Sequence, residues 1–224
     1  VFMEFDLPSL NNKDRYKLLT STIIPRPIAL VSTIDEDGTL NCAPYSFFNA
    51  FSEDPPVCVL GIQRRPDLKP KDTSRLIRDG GEFVVNLVDM RIAEGMNISA
   101  IDFDPEIDEF DLAGFTPVAS RKVAPPRIGE APVAFECRRT VTLQLSAERD
   151  LVVGEILHMH AREGLIDPET LYLDRDQYDV VGRLYADLYA PLRDVFQLKR
   201  WEPDDYLAAH GLDAAGRPID NDKT

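Results

Sequence analysis

The sequence predicts a mainly β protein, a β-barrel decorated by a few short helices. Three observations carry that prediction. Several β-rich runs come early, short helical stretches sit between them, and two long alternating strands come late. That order suits an antiparallel barrel better than a doubly wound parallel sheet. The fingerprints of the commonest nucleotide folds, GxGxxG and GxxxxGK[ST], do not occur, and neither do GxSxG or HExxH.

The elements follow in order. PIALVSTI (27–34) is β-rich and leads into the turn signal DEDG (35–38). LNCAPYSFFNAF (40–51) reads as one long second strand, with Pro44 marking an edge or a bulge. Alternation along it sets Ser46 and Phe48 on one face, and Tyr45, Phe47 and Asn49 on the other. Asp54-Pro55-Pro56 stops that strand and VCVLGI (57–62) resumes as a buried one. KDTSRLIRDG (71–80) reads as a short helix, with Asp72 or Thr73 as cap and Leu76 and Ile77 on its apolar face. EFVVNLV (82–88) is another strand, and its Asn86 reads as a satisfied core amide. RIAEGMNISA (91–100) has helical character and SRKVAPPRIGEAP (120–132) reads as an extended connection, with an acidic segment at 102–111 between them. CRRTVTLQL (137–145) alternates, with Val141, Leu143 and Leu145 opposed to Thr140, Thr142 and Gln144. VVGEILHMHA (152–161) alternates as well and carries His158 and His160 on one face. One domain over 1–201 is expected, with 202–224 as a mobile or partner-contacting tail poor in large apolar residues.

Composition narrows the function classes. The chain has 224 residues, enough for one sizeable core, and a net charge of −14 from 39 acidic and 25 basic residues. Such a charge argues against nucleic acid and anionic lipid surfaces as partners. No apolar run approaches the ~20 residues of a membrane span. The opening VFMEFDLPSL lacks a basic n-region and does not read as a secretory signal. Cys42, Cys58 and Cys137 are odd in number and lack CxxC spacing, so no disulfide framework is expected and a cytoplasmic setting is the default. His158 and His160 have metal-compatible spacing, but the one other histidine lies in the tail and no cysteine pair is near, so no metal site is expected.

The aromatic run APYSFFNAF offers flat apolar surface beside small hydrogen-bonding groups. It stands in an ordered series: PRPIA, STIDEDG, APYSFFN, SEDPP, KDT and EFVVN. Taken together, that series resembles the flavin reductase-like family. The resemblance implies an FMN-binding split barrel of Greek-key type, a homodimer, and FMN (or FAD) as cofactor with NAD(P)H as co-substrate. It implies contacts to flavin from Ser46, Phe47, Phe48 and Asn49, with Ser32 and Thr33 as polar neighbours at the end of the first strand. Lys71, Asp72 and Thr73 open a helix whose N-terminus suits a phosphate. The family text there ends in Asn where this chain has Leu76, so Arg64 and Arg65 are alternative phosphate ligands. Arg26, between two prolines, either clamps the flavin or pairs with an acidic neighbour. His160 is the candidate for the nicotinamide side, with a subunit contact as the alternative. Arg183, with Tyr185 and Tyr189, resembles the family's late GR…Y segment near the cofactor or the dimer seam, or packs as a plain amphipathic stretch. Three activities follow: an NAD(P)H-dependent flavin reductase serving an oxygenase or another acceptor, a flavin-carrying electron-transfer protein, or a barrel interaction module without flavin.

Overall fold

A computed structural model describes residues 2–65, 67–103 and 108–218. Seven strands form one antiparallel sheet: β1 (Ala29–Ile34), β2 (Leu40–Tyr45), β3 (Phe48–Glu53), β4 (Pro56–Gln63), β5 (Glu82–Leu87), β8 (Val133–Ser146) and β9 (Arg149–Ala161). Their order is β2-β1-β5-β8-β9-β4-β3. The two outermost strands, β2 and β3, are therefore consecutive in sequence and separated by Ser46 and Phe47 alone. A sheet whose edges are joined by two residues must curl until the edges meet, so the strands close into a barrel with its seam at this bend. The Gly61 amide donates to the Phe47 carbonyl at 2.7 Å, extending the β3–β4 ladder into this bend.

The expected long strand 40–51 is thus two strands that use different partners. The bend also resets the alternation: Tyr45 and Phe48, predicted on opposite faces, both pack into the core that fills the barrel with Val31, Leu60, Phe83 and Val85. Packing there is tight enough to require Gly154, because a Cβ at that position would lie 2.4 Å from the Phe83 ring. Cys58 and Cys137 also point into this core as free thiols, 3.8 Å apart at sulfur. β9 runs between their two strands, so their backbones stand about two strand spacings, ~9–10 Å, apart and no disulfide joins them.

A second core lies against the outer wall of β1 and β2. Ile28, Leu30, Val88, Met96, Phe110 and Phe115 meet there beneath α3 (Ala93–Ile98) and α4 (Glu109–Ala113). Part of the acidic segment 102–111 lies outside the described residues. The extended connection 120–132 holds β7 (Arg127–Ile128), which pairs with β6 (Pro117–Val118) just ahead of it. Asn86 is a satisfied core amide: it donates to the Leu30 carbonyl at 3.0 Å and to Ser32 at 3.2 Å, and accepts from the Ile128 amide at 2.9 Å.

Two further helices complete the barrel unit. α1 (Asn12–Thr22) is capped by Asn11, whose side chain accepts from the Asp14 amide. α2 (Asp72–Gly80) buries Leu76 and Ile77 and ends at Gly81 with φ 75°, a left-handed C-terminal residue that glycine adopts without strain. Neither Asp72 nor Thr73 caps it. Its N-cap is Lys71, and among the described residues no side chain caps its first amides; Asp72 instead faces Arg65 and Arg75. β10 (Val181–Arg183) and β11 (Tyr189–Pro191) form a separate hairpin.

Compact units divide at Arg193/Asp194, ahead of the expected boundary at 201. The second unit contains α5 (Pro203–Ala209), where Tyr206 stacks on His210 at 4.0 Å and Trp201 meets Tyr206 edge-on. Among the described residues no helix is long and apolar enough to cross a membrane.

Candidate functional site

The start of α2, the end of β1 and strand β2 build one polar junction. Asn41 donates to Thr33 at 3.0 Å and to Thr73 at 2.9 Å, tying β1, β2 and α2 together. Beside it the Tyr45 hydroxyl is sealed from solvent and completes no hydrogen bond among the described residues, and burial drives its pKa well above the ordinary phenol value. The Arg65 Nε is likewise buried without a partner, while its other end meets Asp72 at 2.5 Å. Lys71 reaches Asp102 at 3.0 Å. Orphaned polar atoms and an uncapped helix start suit an anion and a hydrogen-bonding ligand.

This junction continues into a longer groove. A narrow cleft holds Asn41, Tyr45, Arg65, Lys71 and Asp72. A neighbouring one of about 290 Å³ shares its Pro44 and Tyr45 and adds Ser46, Tyr16 and Arg183. A third, of about 1010 Å³, shares Tyr16 and adds Phe47 and Arg149. Tyr16 stacks on Phe47 at 6.2 Å, and the Arg149 guanidinium lies 4.8 Å from the Phe47 ring centre. Polar groups thus stand at one end of the groove and flat aromatic surface at the other.

The predicted residues divide between this groove and other places. Ser46, Phe47, Lys71, Asp72 and Arg183 line it, and Thr33 and Thr73 support it through Asn41. Phe48 packs into the barrel core. Asn49 stands exposed on β3, accepting from the Ala50 amide. Ser32 is fully buried and donates to the Pro126 carbonyl at 2.5 Å. Arg26 takes neither expected role as a salt-bridge partner or an open clamp: its guanidinium donates to the carbonyls of Thr20, Ile23 and Leu184, and more weakly to Ser46. It pins the end of α1 to the β10–β11 turn, and burial lowers its pKa. Arg183 covers the Tyr189 ring at 4.4 Å. Arg64 turns away from the junction to the buried Asp150, which it meets at 3.2 Å together with Arg78 and Ser74.

His160 lies elsewhere. It sits in a cleft on the outer wall that shares no lining residue with the groove. Its Nε2 is 2.6 Å from Glu136, a fully buried carboxylate that also accepts from the Arg121 and Lys122 amides. Burial alone would raise the Glu136 pKa, but these hydrogen bonds outweigh it and hold the carboxyl below its ordinary value.

Sequence reasoning missed Tyr16, Asn41, Tyr45 and Arg149 as groove residues. Asn41 stands two residues ahead of the aromatic run, in the same strand as Tyr45, and α1 carries its own signal in the Asn11 cap. Arg149 gave no local signal, since the barrel alone brings the β8–β9 turn to Phe47.

A closed antiparallel barrel with its seam beside a polar, aromatic groove defines a split-barrel protein. The chain matches the flavin reductase like domain over residues 20–182 and belongs to the flavin reductase-like family. It is similar to the crystal structure of 2-nitrobenzoate 2-nitroreductase from Pseudomonas fluorescens, with 38% identity and a TM-score of 0.81 over 88% of this chain and 96% of that one. It is similar as well to nitrilotriacetate monooxygenase component B from Bacillus cereus, with 32% identity and a TM-score of 0.84 over 88% and 99%. A structure from Shewanella frigidimarina, described as having a split barrel domain, shares the fold at 21% identity, with a TM-score of 0.77 over 89% of this chain and 100% of that one.

Proposed function

We propose that the chain is an FMN-binding oxidoreductase that uses NAD(P)H as hydride donor and passes electrons from reduced flavin to a second acceptor. The observation that carries this reading is the groove itself, with an uncapped helix start and two cations at one end and a flat aromatic wall at the other. Hydride acceptance and delivery are the flavin's own chemistry. This chain supplies binding, orientation and exclusion of water. Lys71, Arg65 and the first amides of α2 hold the flavin phosphate, with Asp72 fixing Arg65. Asn41, Thr33 and Thr73 give that end its shape, and the buried Tyr45 hydroxyl keeps its proton as a donor. Ser46 offers a hydroxyl midway, Phe47 and Tyr16 flank the ring, and Arg183 closes the far side. No general acid or base is required for hydride transfer.

An oxygenase is the acceptor favoured by the likeness to a monooxygenase component. A nitroaromatic acid is a second acceptor, favoured by Arg149 over Phe47, a pairing that suits an aromatic carboxylate. The protein acts as a homodimer in a reducing compartment. Exposed Val141, Leu143 and Leu145 on β8 support a covering second copy, and three unpaired cysteines support the compartment. The test is the visible spectrum of the purified protein, followed by anaerobic NADH and then NADPH. A flavin spectrum bleached by either nucleotide supports the reductase. A flavin spectrum moved by neither leaves an electron carrier, and a colourless protein that gains no thermal stability from FMN overturns the reading.

A further inference from the structure

The outer-wall cleft that holds His160 is built of unusual material for so acidic a chain. It has a volume of about 500 Å³, and Gly129, Ala131, Ala134 and Ala161 are among its lining residues. Such small side chains leave its floor open. Around them stand Arg121, Arg127, His158, His160 and Arg162. Carboxylates answer only part of this set. Glu136 is taken up by His160 and two backbone amides, and Asp89 by Arg162 at 3.1 Å. Arg121 and Arg127 make no ion pair among the described residues, and the Arg127 Nε is buried without a hydrogen-bond partner. In a chain of net charge −14, two arginines without carboxylates in one concavity focus a positive potential against the overall field. A buried donor left unmade is a cost that a ligand acceptor would remove.

We propose that this cleft binds a phosphomonoester, held by Arg121 and Arg127 with His158 beside them. A phosphate dianion presents three acceptor oxygens and suits forked guanidinium donors. Glu136 is a positioning residue here. By accepting the Arg121 and Lys122 amides and bonding His160, it fixes the loop that carries Arg121 to the wall that carries the histidines. This site stands apart from the flavin groove and does not depend on the flavin reading.

Calorimetric titration of the full chain tests it, with three probes: inorganic phosphate, 2′-phospho-ADP-ribose and ADP-ribose. The 2′-phosphorylated probe is expected to bind at least tenfold tighter than ADP-ribose, and Arg121→Ala/Arg127→Ala is expected to abolish that difference while flavin retention stays unchanged. Inorganic phosphate that binds and is lost in the same variant, with no preference between the two nucleotides, also supports the site and makes free phosphate its ligand. Arg127→Gln, which keeps the aliphatic stem, guards against misfolding and is expected to lose at least fivefold. Failure of every probe to bind, equal binding of both nucleotides without phosphate binding, or phosphate binding unchanged in the variants would each overturn the proposal.

Discussion

Around α2 nearly every cation has its carboxylate; in the outer-wall cleft of β8 and β9, two arginines have none among the described residues. Asp150 holds Arg64 and Arg78, Asp72 holds Arg65 and Arg75, and Asp102 meets Lys71. In the cleft that holds His160, Arg121 and Arg127 stand without acidic partners among the described residues. Paired charges in buried surroundings belong to the fold, because removing one partner strands the other. Unpaired charges add little to the fold and remain available to a ligand. Mutation should therefore separate the two regions: stability should fall on the first side and binding on the second.

The largest effect is expected at Asp150. Asp150→Ala leaves Arg64 and Ser74 without their buried acceptor and should lower stability by about 3–5 kcal/mol in urea unfolding. A loss below ~1 kcal/mol would mean that the α2 pairs are surface decoration, and the contrast would collapse. Glu136→Ala comes next, with a loss of about 2–3 kcal/mol from two orphaned amides. Glu136 also sets a pH dependence. Its folded-state pKa lies below the ordinary glutamate value, so its contribution is present at neutral pH and is lost as pH falls below that value. Glu136→Gln should flatten the acid limb of Tm against pH, and an unchanged limb would reassign it to other carboxylates. Lys71→Ala should weaken FMN binding by about three- to tenfold, an effect of roughly 1 kcal/mol because Asp102 already shares the ammonium; fluorescence titration reads it. Smallest of all, Arg127→Gln should change stability by less than about 0.5 kcal/mol. A large loss there would make Arg127 a structural residue and erase the difference between the two regions.

Much of this contrast was hidden in the sequence. The strands, the helix at 71–80 and the core amide Asn86 were legible, since alternation and the apolar pair Leu76–Ile77 are local signals. The break at Ser46–Phe47 was not, because alternation runs on through it and only closure of the sheet separates β2 from β3. Arg26 between its prolines advertised a role, yet its partners are carbonyls of Thr20 and Ile23 at the end of α1 and of Leu184 in the β10–β11 turn, brought together only by the fold. Glu136 was not singled out in the sequence, because nothing local foretells two amides folding over it. Arg65 was singled out as a phosphate candidate and does reach the α2 start; Arg64, its neighbour, faces the other way. The C-terminal stretch read as a tail carries a helix with its own aromatic contacts.

The bend at Ser46–Phe47 also bears on the order of folding. Its two flanking strands are a single run of chain that must hydrogen-bond to opposite ends of the sheet. β2 can pair with β1 early through a short hairpin, and β3 with β4 likewise. Joining these two hairpins into one ring waits on the β1–β5, β5–β8 and β4–β9 pairings, which link distant parts of the chain. Seam closure is then a late event, and the groove that lies along it comes into being only when the ring is complete. A binding surface formed last in folding is also the first to be lost on opening, so a ligand seated there would act as a latch on the whole barrel.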